Sequence, residues 1–352
     1  VNLDTHHWAY LYGPPKSRGI LKQEPQDFIV KEHLGFEPCG EGEHIFVWLR
    51  KTGLNTAFVA EQLARFVGVH PRAVTFSGRK DKHAVTEQWF GVHLPGKHEP
   101  VWRDFDLPGA TILASNRHNK KLRTGTHKGN RFELCLRDIQ ADPSLEARLE
   151  KVKLGVPNYF GEQRFGIAQG NLHLGMRMLE GETIRNRQKR SMAISALRAW
   201  LFNQTLSERI EGGHFANMLP GDIMILAGSN SFFCAQQVEE ALLCRLTQGD
   251  IQLSAPLWGE GQPESQGDAL RFEQEVADRY ATLSAGLAGL GLRQERRPLK
   301  LLPEDLSWQL SDDQLKLSFS LPPGGFATAV VRELMMTVEP TKGTQHAHIT
   351  EQ

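Results

Sequence analysis

Segments that alternate apolar and polar residues lie near both ends of this chain, while the stretch between them is patterned for helices. This arrangement constrains the fold more than any other feature. A sheet whose strands come from both ends must accommodate the middle as an insertion. Strands are expected at Phe28–Val30, Ile45–Leu49, Ala73–Phe76, Val85–Leu94 and Arg131–Leu136, and again where Leu315, Leu317, Phe319 and Leu321 alternate. Between the second and third of these, a helix should begin after Asn55 as N-cap, with Phe58, Leu63 and Phe66 as apolar positions, and stop at Gly68 and Pro71. From about 175 to 292 helical patterns dominate, with Ser191–Glu211 closed by Gly212-Gly213, and Ala269–Leu290 beyond a Gly/Pro-rich loop. A sharp Pro-Pro-Gly-Gly turn at 322–325 precedes a final helix expected over Ala327–Met336.

Composition narrows the class of protein. The four cysteines, Cys39, Cys135, Cys234 and Cys244, lie far apart without a CxxC pair. That spacing argues against a zinc site or disulfide framework and for reduced thiols. The start, VNLDTHHWAY, lacks the apolar core of a secretory signal, and no window reaches the roughly 20 apolar residues of a spanning helix. The expectation is a soluble, cytoplasmic protein. His6, His7, His346 and His348 have no partner ligands in sequence, so no metal site is expected. No long heptad run argues for a coiled-coil dimer, which leaves a monomer as the default.

Lys and Arg together number 41, as do Asp and Glu, so any polyanion binding must come from local patches. Three basic runs stand out. No acidic residue falls between Leu107 and Phe132, where Arg117, Lys120, Lys121, Arg123, Lys128 and Arg131 cluster. The others are Arg185, Arg187, Lys189, Arg190 and Arg198, and then Arg293, Arg296, Arg297 and Lys300. Each alone reads as a solvated surface; three together in a neutral chain weigh as much for polyanion binding as for solvated surfaces.

The segment Ser77-Gly78-Arg79-Lys80-Asp81-Lys82-His83 sets one carboxylate among three cations in a turn between strands. One reading is a polar turn that uses Asp81 for its backbone geometry. The other is a nucleophile or base placed where an anionic substrate arrives. An Asp with an ordinary pKa of about 3.9 needs no help to ionise in water. In a site that closes and dries, burial raises that value, and neighbouring cations keep the group charged.

GRKDKHAVTEQW resembles the signature segment of the TruD family of pseudouridine synthases. The resemblance continues in order through LKQEPQDFIV (21–30), KGNRFEL (128–134), GVPNYFGEQRFG (155–166), SALRAWLFNQ (195–204) and PPGGFATAVVREL (322–334). It implies an α+β fold, with a mixed, mainly antiparallel sheet flanked by helices forming the pseudouridine-synthase catalytic domain. That domain would comprise 1–155 and 301–352, with an inserted TruD-specific α/β domain at 156–300. It further implies an isomerase that converts uridine 13 of tRNA to pseudouridine without metal or organic cofactor.

By the same resemblance Asp81 is the nucleophile, attacking C1′ or C6, unless a glycal route begins at C2′. Lys22 is the candidate for its ionic partner, read equally well as a solvated lysine near a strand; Phe28, Phe132 and Phe326 bind the uridine, and Asn130 serves the uracil edge or Asp81. From pattern alone Phe28, Phe132 and Phe326 are core aromatics and Asn130 a turn residue. A base stacked on an aromatic gains ~1–3 kcal/mol, which offsets much of the few kcal/mol that flipping costs. Arg79, Lys80, Lys82, Lys120, Lys121, Arg123 and Lys128 are the expected RNA contacts. The competing readings are a non-catalytic RNA-binding or RNA-chaperone protein on the same scaffold and, more remotely, a nucleoside hydrolase. The hydrolase should need a second carboxylate, which this segment lacks.

Overall fold

The computed structural model describes residues 3–96 and 98–340, so His346 and His348 lie outside the described residues. The chain divides into two packing units. One, the sheet unit, comprises 16–146, 303–324 and 334–352; the other, the helical unit, comprises 1–15, 147–302 and 325–333.

In the sheet unit, the first strands are β1 (Arg18–Ile20), β2 (Phe28–His33) and β3 (His44–Thr52). Helix α1 (Thr56–Val67) follows, then β4 (Val74–Phe76), β5 (Val85–His93), β6 (Ala110–His118) and β7 (Gly129–Gln140). Strands Glu304–Leu310, Gln314–Leu321 and Met336–Val338 complete one sheet of ten described strands. It is mixed and mainly antiparallel: β2 runs parallel to β5, and β1 parallel to Met336–Val338. β7 lies between β2 and Gln314–Leu321, antiparallel to both, so the two ends of the chain share one sheet.

Period-two patterning explains which face each strand buries. On β3, Ile45, Val47 and Leu49 are fully buried and pack with Phe90 and Val92 of β5 and with Val59 and Leu63 of α1. Each such side chain contributes about 1.5–3 kcal/mol on burial. Helix α1 ends at Gly68, whose φ of 78° is left-handed and costs a glycine little.

The helical unit is organised by the 25-residue helix Arg187–Glu211, which buries Leu197, Trp200, Phe202 and Leu206. Two features of this unit are not visible in its helical periodicity, and the first agrees with the α/β insertion that the resemblance implies. The middle also holds a four-stranded sheet, ordered Phe232–Ala235, Asp222–Leu226, Ile251–Leu257, Glu295–Pro298. Its two inner strands are buried almost throughout, which erases the alternation that reveals a half-exposed strand. The segment expected as one helix to Leu290 is two, Gly267–Arg279 and Ala281–Ala288, interrupted at Tyr280 (φ −116°, ψ 45°).

The sequence division fell at 155 and 301, but 1–15 and 325–333 pack with the middle segment. Trp8 meets Trp200 edge-on at 5.7 Å, and the Arg332 guanidinium lies 3.7 Å from the Tyr10 ring centroid. The helix after the Pro-Pro-Gly-Gly turn ends at Leu334 rather than Met336, which opens a strand instead.

Candidate active site

The turn from 77 to 83 is fixed by a buried polar network before its charged residues are considered. Ser77 Oγ lies 2.5 Å from His127 Nδ1 and accepts from the His127 N–H at 2.9 Å. Thr56 Oγ accepts the Lys80 N–H and donates to Gln88 Oε1, both at 3.0 Å, while Gln88 Nε2 donates to the Gly78 carbonyl. The Lys80 ammonium turns inward to Glu32 at 2.7 Å, with the two side chains 5% and 0% exposed. Beneath the turn, fully buried Lys51 donates to the Asp81 carbonyl at 3.1 Å and more distantly to that of Lys80. Burial lowers the Lys51 ammonium to about 8, against the opposing pull of Asp81.

These contacts present the Asp81 side chain at the turn, 22% exposed. Its Oδ1 accepts from the His83 N–H at 2.8 Å and its Oδ2 from Lys22 Nζ at 2.7 Å. Burial pushes the carboxyl up. The Lys22 charge, the Lys22 hydrogen bond and the His83 N–H outweigh it, so Asp81 lies below its ordinary value. Lys22 itself has φ 57°, a left-handed conformation that costs a non-glycine residue of order 1–3 kcal/mol and is concentrated at functional sites. Its ammonium lies 4.6 Å from the Phe28 ring centroid and 3.7 Å from Glu339.

Phe28 and Phe132 occupy one face of neighbouring strands and meet edge to face at 6.0 Å, and Phe319 stacks on Phe132 at 5.6 Å. Asn130 shares that face of β7, opposite Glu32 on one side and Leu321 on the other. Its Oδ1 is buried and has no hydrogen-bond partner among the described residues. Such an acceptor is costly to leave unmet and can take a hydrogen bond from a donor that reaches it.

The structure thus brings Lys22, Asp81, Phe28 and Phe132 together, with Asn130 on the same strand face as Phe132. Phe326 belongs to the helical unit, where it meets Phe160 edge-on at 5.9 Å. Of the expected RNA contacts, Arg79, Lys82, Lys120, Lys121, Arg123 and Lys128 are exposed. Lys80 is not, because its charge is turned to Glu32.

The basic runs divide in the same way. Arg117 binds Glu99 and the Gly42 and Gly96 carbonyls, Arg131 binds Ser318, and Arg198 binds Glu295 and the Trp258 carbonyl. In the third run Arg296 forms a buried pair with Glu273, and Arg297 donates to Asn158. That run is chiefly internal scaffolding rather than a polyanion surface. The sequence reading missed the supporting residues Glu32, Lys51, Ser77 and His127. Lys51 was visible in principle, since it continues the buried phase of Ile45, Val47 and Leu49.

Lys22→Met should shift the acid limb of the pH–rate profile upward. A carboxylate with a depressed folded-state pKa works above that value and fails as pH falls through it. Without Lys22, burial is opposed only by His83, through its N–H and its charge, and the failure moves to higher pH. Loss of the orienting contact should also lower kcat by about 10²-fold or more. A profile with an unmoved acid limb would remove Lys22 from this role.

A carboxylate held charged against partial burial, beside an aromatic cluster on an α+β scaffold, suits nucleophilic chemistry on a planar substrate. Comparison with known proteins places the chain among the pseudouridine synthases, a class of isomerases. A family model described as tRNA pseudouridine synthase D (TruD) matches residues 6–185 and 183–334, and the chain belongs to that family. The tRNA pseudouridine synthase D of Pseudoalteromonas atlantica is 52% identical over 95% of this chain and 97% of its own. That of Aeromonas hydrophila is 53% identical over 95% and 96%. The crystal structure of a Methanosarcina mazei protein described as TruD has a TM-score of 0.68 at 22% identity, covering 95% of this chain and 96% of that one. This last likeness is one of fold.

Proposed function

We propose that this chain isomerises uridine 13 of tRNA to pseudouridine, with Asp81 as the covalent nucleophile and the sheet unit as its catalytic domain. The observation that carries the reading is the Lys22–Asp81 contact of 2.7 Å at a turn locked from beneath by Lys51. The carboxylate attacks the target nucleotide at C1′ or C6. The N1–C1′ bond breaks, the uracil turns, and C5 bonds to C1′. The proton on C5 is then lost, N1 gains one, and Asp81 is released unchanged. No electrons are gained or lost overall, so the reaction needs no redox partner.

Lys22 orients the carboxylate and keeps it charged. Phe28 and Phe132 are 5% and 7% exposed, so the flipped base meets only the small part of their rings left open, and Asn130 Oδ1 is an acceptor for the imide N–H of uracil. Exposed Arg79, Lys82, Lys120, Lys121, Arg123 and Lys128 supply phosphate contacts.

The test is pseudouridine mapping on an unmodified tRNA pool incubated with the protein and no added cofactor. A new pseudouridine at position 13 is expected. Product at a different position overturns the assigned target, and no product from folded, tRNA-binding protein favours a binding or chaperone role.

A further inference from the structure

In the helical unit, the turn Glu162–Phe165 carries Arg164 into a cavity of about 160 Å³, which it lines with Gln163, Asn171, Met192 and Phe326. Gly161 makes this approach possible: a Cβ there would sit 2.6 Å from Thr328 Oγ and 3.1 Å from the Phe326 ring. The Arg164 guanidinium stands 5.4 Å from the Phe160 ring centroid and 5.8 Å from that of Phe326. No carboxylate among the described residues pairs with it. Elsewhere in the same unit the buried arginines are answered, Arg209 by Asp222 and Arg296 by Glu273.

A second guanidinium sharpens the contrast. Arg297 lies 3.8 Å from the same Phe160 ring while donating to Asn158. Burial and the like charge of Arg164 lower Arg297 to about 9. Burial likewise holds Arg164 below its ordinary value. Two cations crowded on one aromatic ring, one of them facing a cavity, are stabilised by an anion entering that cavity. Met192 sits on helix Arg187–Glu211, whose first turn and approach carry the exposed residues Arg185, Arg187, Lys189 and Arg190. These cations begin the helix that supplies Met192 to the cavity wall.

We propose that the Arg164 cavity binds a phosphodiester group of the RNA substrate, gripped by the guanidinium, with the Phe326 ring beside it. This rests on the RNA-modifying reading above and adds to it a phosphate site in the helical unit. A planar guanidinium fits phosphate through two parallel N–H donors, the side-chain amide of Gln163 adds a neutral donor, and Asn171 Nδ2 braces the loop by donating to the Arg164 carbonyl at 3.3 Å.

The experiment measures affinity for unmodified tRNA against salt concentration, with and without Arg164→Gln, in an Asp81→Asn background that leaves the RNA unconsumed. Losing one phosphate contact should weaken binding on the order of tenfold and reduce the log–log salt slope by about 0.7–0.9. Arg164→Lys should keep the slope. Unchanged affinity and slope in Arg164→Gln would overturn the proposal.

In unsubstituted protein, saturating tRNA should slow phenylglyoxal labelling of Arg164, read by peptide mass. Equal labelling with and without tRNA, or protection by inorganic phosphate but not by tRNA, would overturn it as well. A protein that binds tRNA through Arg164 yet makes no pseudouridine would sink the enzymatic reading alone. Binding and turnover indifferent to Arg164 would sink this inference alone.

Discussion

Asp81→Asn should lower pseudouridine formation on unmodified tRNA by on the order of 10⁴-fold or more, while leaving tRNA binding within a few-fold of the parent protein. The amide keeps the shape of the carboxylate and can still accept the His83 N–H at the Oδ1 position. It has no charge to hold Lys22 and no competence to form a covalent bond to the nucleotide. The turn should survive, because its fixed points are Ser77–His127, Thr56–Lys80, Gln88–Gly78 and Lys51 to the backbone, none of which uses the Asp81 side chain. Asp81→Glu sharpens the test. The added methylene retains the charge but displaces the oxygens from Lys22, and a misplacement of that size should cost about 10²-fold. Turnover of Asp81→Asn within tenfold of the parent would mean that another group attacks the nucleotide.

The sheet unit was legible because its strands are half-buried. Alternation along β7, and along 315–321, records which side faces the core, and those strands pair as neighbours. Helix α1 was legible at both ends, through Asn55 and Gly68. The middle was harder for a physical reason: Asp222–Leu226 and Ile251–Leu257 are covered on both faces, so periodicity carries no signal there.

At the site, the aspartate and its lysine could be named from motif resemblance, but charge counting misjudged several cations. Lys80, Arg296 and Arg297 look like surface charge in a sequence. Their partners Glu32, Glu273 and Asn158 are 48, 23 and 139 residues away, and only the folded chain brings them together. Glu32 is the instructive case. A glutamate in the buried phase of β2 is costly unless a cation reaches it, so its position in the strand already called for a partner such as Lys80.

The same reasoning predicts the largest stability effect, at Arg209 and Asp222. Both side chains are fully buried, joined by two hydrogen bonds of 2.6 and 2.9 Å. The carboxylate also accepts the Leu219 N–H, and the guanidinium donates to the His214 carbonyl, so the pair ties helix Arg187–Glu211 to the start of strand Asp222–Leu226. Asp222→Asn strands an uncompensated guanidinium in the core and should cost about 3–5 kcal/mol. In a unit of this size that corresponds to a fall in Tm of about 6–20 °C.

Removing both charges, as in Arg209→Met with Asp222→Leu, should recover most of the loss, because the desolvation of two ions disappears with their attraction. Calorimetry on the two variants decides between the accounts. If the double replacement is as unstable as the single one, the pair matters through its backbone hydrogen bonds rather than through charge. Arg209 and Asp222 both lie in the helical unit and Asp81 in the sheet unit. At temperatures where Asp222→Asn remains folded, the Lys22–Asp81 contact should therefore persist, and the acid limb of the pH–rate profile should stay where the parent has it.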